Sequence, residues 1–445
     1  MIRVTDSTLD NGLKVVTVEQ PHLHSASVSL FVNCGSRHEG VSEWGLSHLV
    51  EHMLFRGSAR FPTASRLARA FERHGGTLQA STWRDHTRLT TPIHPARLLD
   101  ALTVLGDMVG APLFGELEVE RRIIEEELRE DIDEDGGDSD INNVSRASIW
   151  RGHPMGRRIA GSFESLRAFG VHDIREHHAQ HYVAENAVLC VAGRVRTAEV
   201  RDMAERTFGK LPRGARTTNG EAARFAPDAP LKVRRRRGAQ LGVQLTFGAL
   251  PEGHADFAAL NLLTRVLDDG HSSRLQQAVC ERRGLVYHLS TGLDCYADCG
   301  LYDVEMLVAP RRAATAVAVT LEAVAELCEK GITEEEFELA RERSIHDLEF
   351  SLDSSEDLSI AYAAQALFAH AEPLDKQIKA LQAMERSDLE RVAREIFMNR
   401  RVHATLLGPI ERANVKRIEK LLRDFPPKVD SGITPPVDAS GRAVV

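Results

Sequence analysis

Apolar and polar residues alternate in two early segments, Leu13 to Gln20 (LKVVTVEQ) and Ser25 to Gly35 (SASVSLFVNCG). A period of two places apolar side chains on one face of a strand, so both segments predict β-strands. Asn186 to Val195 (NAVLCVAGRV) is a mostly apolar run of strand length and predicts a buried strand. Between them the period lengthens to that of a helix in GLSHLVEHMLF, ASRLARAFERHG, PARLLDALTVLGDMVG and LEVERRIIEEELRE. From Leu211 to Pro230 the periodicity stops. LPRGARTTNGEAARFAPDAP is rich in Gly, Pro and Ala and reads as an interdomain linker. Pro426 to Val445 is a Pro/Gly/Ser tail with little to order it.

The stretches on either side of the linker repeat one pattern. Each opens with strands and continues into a helix, GLSHLVEHMLFRGS in the first and ALNLLTRVLDDGHSSRL in the second. Each then has a glycine-led strand region and an acidic helix, GELEVERRIIEEELRE and GITEEEFELARERSIHDLEF. The pattern predicts an α+β fold of two related domains, each with an antiparallel or mixed sheet and helices. The expected divisions are residues 1–212, a linker at 213–229, a second domain at 230–425, and a tail at 426–445.

A chain of 445 residues exceeds one hydrophobic core, which agrees with that division. Its 42% hydrophobic and 27% charged content is that of a soluble globular protein. The net charge of -9 excludes general nucleic-acid binding, which needs a basic field. The N-terminus lacks the pattern of a signal peptide, and no run of about 18 apolar residues occurs, so a cytoplasmic location without a membrane partner is expected. Six cysteines lack any C-x-x-C spacing and read as reduced thiols, with Cys295 and Cys299 structural. Neither G-x-x-x-x-G-K-[ST] nor a strand-led G-x-G-x-x-G is present, so nothing points to a nucleotide.

The chemistry lies in SHLVEHMLFRGS. His48 and His52 are four apart and share one face of a helix, so both rings can address one ion; Glu51 sits beside His52 and can reach a water at that ion. Two histidines on an ordinary amphipathic helix remain the plain alternative. A catalytic zinc takes three protein ligands, and LEVERRIIEEELRED (Leu117 to Asp131) offers the third. Its apolar stripe runs through Leu117, Ile123, Ile124 and Leu128, and at about 100° per residue Glu127 and Glu120 fall within it while Glu125 and Glu126 point away. A core-facing carboxylate needs a cation or hydrogen bonds. Glu127 is therefore the expected ligand and Glu120 a residue supporting the site. Asp131 to Asn142 (DIDEDGGDSDIN) begins like a calcium loop, but Asn142 stands where a bidentate Glu belongs, and the segment reads as an acidic surface loop.

His48-Leu-Val-Glu51-His52, with 74 residues between His52 and Glu127, resembles the inverted zinc signature of the pitrilysin and insulinase peptidases. The likeness is to the branch containing mitochondrial processing peptidase and its bacterial relatives. GSRHE, HGGTLQASTWRDHT, IIEEEL, HPMGRRIAGSFESL, YVAENAVLCVAGRV and SSRLQQAVCERRGLVYHLS follow in the family's order, over roughly residues 5–425. The resemblance implies two homologous α+β domains, each a mostly antiparallel sheet flanked by helices. It implies one Zn2+ held by His48, His52 and Glu127, with Glu51 as general base and Glu120 a second acidic residue near the site. It implies that the strand around Thr77, Leu78, Gln79, Ala80, Ser81 and Thr82 pairs with the backbone of a peptide or unfolded polypeptide. Tyr287 matches a tyrosine that serves the family's reaction as an oxyanion donor, but Cys280 stands where an arginine is usual. That departure opens a second reading, in which a zinc-bearing chain works only as a homodimer or heterodimer whose partner supplies the Arg/Tyr pair. A third is a non-catalytic assembly subunit.

Overall fold

The structure is a computed structural model and describes residues 2–133, 136–368 and 374–426. The strands of the first half are β1 (Arg3–Thr8), β2 (Lys14–Glu19), β3 (Ala26–Val32), β4 (Gln79–Thr82), β5 (Thr87–Ile93) and β6 (Ala187–Gly193). Its helices are α1 (Leu46–Leu54), α2 (Ala64–Glu72), α3 (Leu98–Gly110), α4 (Leu117–Glu130), α5 (Ile141–Ile149), α6 (Phe163–Ala168), α7 (Val171–His181) and α8 (Thr197–Phe208). The second half supplies β7 (Leu231–Arg234), β8 (Leu241–Ala249), β9 (Val286–Cys295), β10 (Gly300–Val308) and β11 (Val402–Leu407). Its α-helices are α9 (Phe257–Leu267), α10 (Ala313–Lys330), α11 (Glu334–Ser351), α12 (Ser355–Phe368), α13 (Leu374–Ala383), α14 (Arg386–Ala393) and α15 (Arg412–Asp424).

Two sheets result, ordered β1-β2-β6-β3-β5-β4 and β7-β11-β8-β10-β9. Without β1 they have one topology. Among the described residues the only parallel pairs are β2 with β6 and β7 with β11, and every other pairing is antiparallel. The repeat in the sequence is thus a repeat of strand order.

Each half lends the other a helix. α12, from the second half, lies on the first sheet, where Leu358, Tyr362, Ala363 and Leu367 pack on Val16, Val18, Phe31, Val188 and Cys190. α5, from the first half, lies on the second sheet against β8 and β11. Sequence periodicity does not reveal this exchange, because it fixes which face of a helix is apolar and not which sheet receives it. It explains the polar positions of β3. Ser29 is buried, 2.8 Å from Ser359 Oγ and 3.0 Å from Thr90 Oγ1, and Ser359 donates to Ser27 at 3.0 Å. Alternation there separates the apolar face of Ala26, Val28, Leu30 and Val32, which lies in the main core of the first half, from the face that α12 covers, where Ser27 and Ser29 meet Ser359; both are buried. On the second sheet, Gln244 donates to Asn142 at 2.8 Å, and Arg146 of α5 donates to Asp294 at 2.8 Å and to Asp303 at 2.5 Å.

Residues 211–230 hold no helix or strand, yet they are fastened down. Thr217 N–H donates to Asn186 Oδ1, Asn33 donates to the Thr217 carbonyl, both at 2.8 Å, and His38 Nε2 meets Asn219 Oδ1 at 3.1 Å. In the acidic loop, Glu134 and Asp135 lie outside the described residues. Asp133 accepts from Arg234, Asp138 pairs with Arg158, and Asp140 caps α5 through Asn143 N–H, each at 2.8 Å. Of the expected tail, residues 427–445 lie outside the described residues. None of the six cysteines forms a disulfide.

Candidate metal centre

The site begins at the N-terminus of α1. Gly45 precedes the helix at φ +92°, and a Cβ there would stand 2.7 Å from Gly161 Cα, so a side chain is excluded both by conformation and by a neighbouring backbone. The first-turn N–H groups have no partner inside the helix. The buried carboxylate of Glu39 takes those of Gly45 and Ser47, at 2.9 and 2.8 Å.

One turn on, His48 and His52 come together with ring centroids 4.6 Å apart. α4 lies alongside α1 and brings Glu127 to them. His48 Nε2 is 3.6 Å from Glu127 Oε1, and His52 Nε2 is 3.7 Å from Glu127 Oε2. Both distances exceed a good hydrogen bond of about 2.7–3.2 Å. Two ligands each about 2.0–2.1 Å from a tetrahedral zinc stand about 3.3–3.4 Å apart, close to what is found here. One donor atom from each of the three residues lies within 4.8 Å of the other two. The donor set and its spacing fit a zinc ion with three protein ligands and one open position.

The surrounding groups orient this trio. Glu120 Oε2 lies 3.0 Å from His52 Nδ1 and accepts a hydrogen bond from its N–H. Glu120 also pairs with Arg56, whose Nη1 reaches Glu116 at 3.3 Å. Burial opposes the carboxylate of Glu120, but the bond from His52 and the Arg56 charge outweigh it and hold its pKa below the ordinary value. Burial likewise opposes the charged form of His52; Glu120, with the charges of Glu51 and Glu127, raises its pKa overall. His48 is pushed down to about 3 by burial and by His52, so its ring is neutral and able to ligate. Glu51 is buried, and Thr82 Oγ1 donates to its Oε2 at 2.7 Å. Burial raises the Glu51 pKa even so.

The stripe drawn on α4 needs correction. Ile124, Leu128 and Glu120 face the core, whereas Ile123 is 45% exposed and the Glu127 side chain 47% exposed. Glu127 sits on the stripe's margin and opens into a cavity; Glu125, expected to point away, is held by Arg167 at 2.8 Å. The cavity is about 660 Å³ and is lined by the three metal-type ligands, Glu51, and Ala80, Ser81 and Thr82 of β4. Among the described residues β4 is an edge strand paired only to β5, which leaves its other edge open to a further strand. Thr77 and Leu78 precede it in irregular backbone, and Gln79 opens it. Tyr287 is not brought to the site: it is 97% exposed near the start of β9 and does not line the cavity. Asp131, Asp140 and Arg158 also form part of the wall, and neither their types nor their spacing marks that position in the chain.

Fold and site together define a two-sheet α+β protein with a His-His-Glu constellation of zinc-ligand type. Its kinship follows from comparison. The model of the Insulinase (Peptidase family M16) matches residues 14–162, and that of the Peptidase M16 inactive domain matches residues 168–344. A Mycobacterium tuberculosis protein named as an uncharacterized zinc protease is 31% identical over 413 residues, 91% of this chain and 92% of the relative. A Bacillus subtilis protein named in the same way is 28% identical, over 88% of this chain and 95% of the relative. A crystal structure of a protease from Helicobacter pylori superposes with a TM-score of 0.84 at 22% identity, covering 92% of this chain and all of that one. The chain belongs to the M16 peptidase family. Among the described residues no helix is long and apolar enough to cross a membrane.

Proposed function

We propose that the protein is a zinc-dependent metalloendopeptidase acting on peptides or unfolded polypeptide segments. The observation that carries the reading is the spacing of His48, His52 and Glu127 beside a buried Glu51 and a free strand edge in one cavity. His48 Nε2, His52 Nε2 and the Glu127 carboxylate would hold the ion. Zinc, when bound, supplies a Lewis acid that acidifies water and polarises a carbonyl.

The chain's own residues do the rest. β4 pairs with an extended substrate backbone through its free edge, which gives affinity with little demand on sequence. The scissile peptide is thereby laid beside α1. Glu51, with its pKa raised by burial, takes a proton from the attacking water and returns it to the leaving amine. Thr82 holds one oxygen of Glu51 and leaves the other to the water. Glu120 fixes the ring of His52.

A second reading is favoured by Tyr287 and Cys280: the zinc-bearing chain completes its oxyanion site only with a related partner chain, as a homodimer or heterodimer. Cleavage of a fluorogenic library of unstructured peptides tests both. Turnover by the single chain supports the first reading, and turnover only after a related chain is added supports the second. A zinc-loaded protein inert under both conditions overturns the peptidase proposal in favour of a non-catalytic subunit. Glu127→Gln should lose zinc, and unchanged metal content would remove Glu127 from the ligand set.

A further inference from the structure

A second group of metal-ligating side chains lies where α7 packs against α1. Cys34, His177 and His181 are all buried, and one donor atom from each lies within 4.8 Å of the other two. His177 and His181 are four apart on α7, as His48 and His52 are on α1, and the ring centroids are 4.6 Å apart in both pairs. Cys34 follows β3, and its Sγ is 3.4 Å from His177 Nε2. A thiolate and an imidazole on one tetrahedral zinc, at about 2.3 and 2.0–2.1 Å, stand about 3.6 Å apart. Ser47 Oγ is 3.4 Å from the same nitrogen and 3.9 Å from Cys34 Sγ, the position of a fourth donor. His181 Nδ1 engages Thr217 Oγ1 at 2.9 Å, the kind of outer bond that fixes a ligating ring and leaves Nε2 for a metal.

The chemistry is selective. One sulfur and two imidazoles suit a borderline ion such as zinc, whereas magnesium and calcium want carboxylates, carbonyls and water. Burial holds His177 down at about 3 and His181 at about 4, so both rings are neutral and able to ligate. Burial pushes the Cys34 thiol well above its ordinary value, so the sulfur becomes a thiolate only when a cation takes the place of its proton.

We propose that Cys34, His177 and His181 form a second, structural Zn2+ site beneath the catalytic helix. Binding replaces the Cys34 S–H proton, which leaves to solvent, with one Zn–S and two Zn–N bonds. The ion ties the end of β3 to α7 and, through Ser47, to the residue preceding His48. The site does not depend on the peptidase reading, because none of its residues lines the cavity.

Metal analysis of the full chain, purified without chelators from zinc-supplied cells, tests it. Two zinc ions per chain are expected, with one lost in Cys34→Ser and a different one lost in His48→Ala. In Co2+-loaded protein a thiolate-to-cobalt charge-transfer band is expected in wild type and in His48→Ala. It should vanish in both Cys34→Ser and His177→Ala; the second variant covers a failure of the first to fold. A single zinc removed by His48→Ala, with no charge-transfer band in wild type, would overturn the proposal and leave the trio as a hydrogen-bonded core. A single zinc kept by His48→Ala and lost in Cys34→Ser would uphold the structural site while refuting the catalytic one.

Discussion

Glu120 Oε2 accepts a hydrogen bond from His52 Nδ1 at 3.0 Å, and the opposite nitrogen of that ring faces Glu127 at 3.7 Å. The pair fixes both the tautomer and the direction of His52. Glu120→Gln keeps the shape and removes the charge. Its zinc affinity should fall roughly 10–100-fold, as for other outer partners of ligating histidines. Chelator competition measures this, and an unchanged dissociation constant would deny Glu120 its positioning role.

Glu51 and the zinc-type ligands occupy the same helix but answer to different measurements. Glu51→Gln should retain metal and lower kcat by about 10²–10⁴-fold, the usual loss when a general base is removed. Metal content and turnover are to be measured on the same sample. Full turnover in a metal-loaded Glu51→Gln protein contradicts its assignment as base.

Arg146 links the halves by donating to Asp294 and Asp303 from a buried position on α5. Breaking a buried pair leaves its partner charge unsatisfied, at a cost of about 3–5 kcal/mol. Arg146→Met should therefore lower the unfolding free energy, extrapolated from urea titration, by that amount. Pairing Arg146→Met with Asp303→Asn should recover part of the loss. A single variant as stable as wild type would show that the exchanged helix is held by apolar contact alone.

Glu252 carries a pH dependence. Burial first, and then the charge of Asp85, raise its pKa from 4.5 to about 7. Between these values the folded chain binds more protons than the unfolded one, so this group's contribution is full below about 4.5 and is lost as pH rises through about 7. Glu252→Gln removes that term. Relative to wild type, the variant should gain stability at pH 8 compared with pH 5, by thermal or urea unfolding. An equal difference at both values would place the Glu252 titration elsewhere.

Much of the fold was readable in the chain because the informative signals are local. The period-two segments became β2 and β3, the apolar run became β6, and the four periodic helices became α1 to α4. The His-x-x-Glu-His spacing needs only one helix to bring two rings together, and α1 does so. The position of Glu127 was harder to read. Its rank on α4 does not say where the apolar stripe ends and the cavity begins; that depends on how α4 sits against α1. Long-range placements were invisible for the same reason. Thr82 meets Glu51, α12 crosses to the first sheet, and Cys34 meets two histidines more than a hundred residues away, all through packing that no local period encodes. Tyr287 shows the converse: similarity marked it as functional, while this chain alone leaves it in solvent.

The most direct test of the central claim is anomalous diffraction at the zinc edge from crystals grown with zinc. The account predicts a peak within bonding distance, about 2.0–2.1 Å, of His48 Nε2, His52 Nε2 and a Glu127 carboxylate oxygen. Zinc-containing crystals with no anomalous density among those three side chains would contradict it.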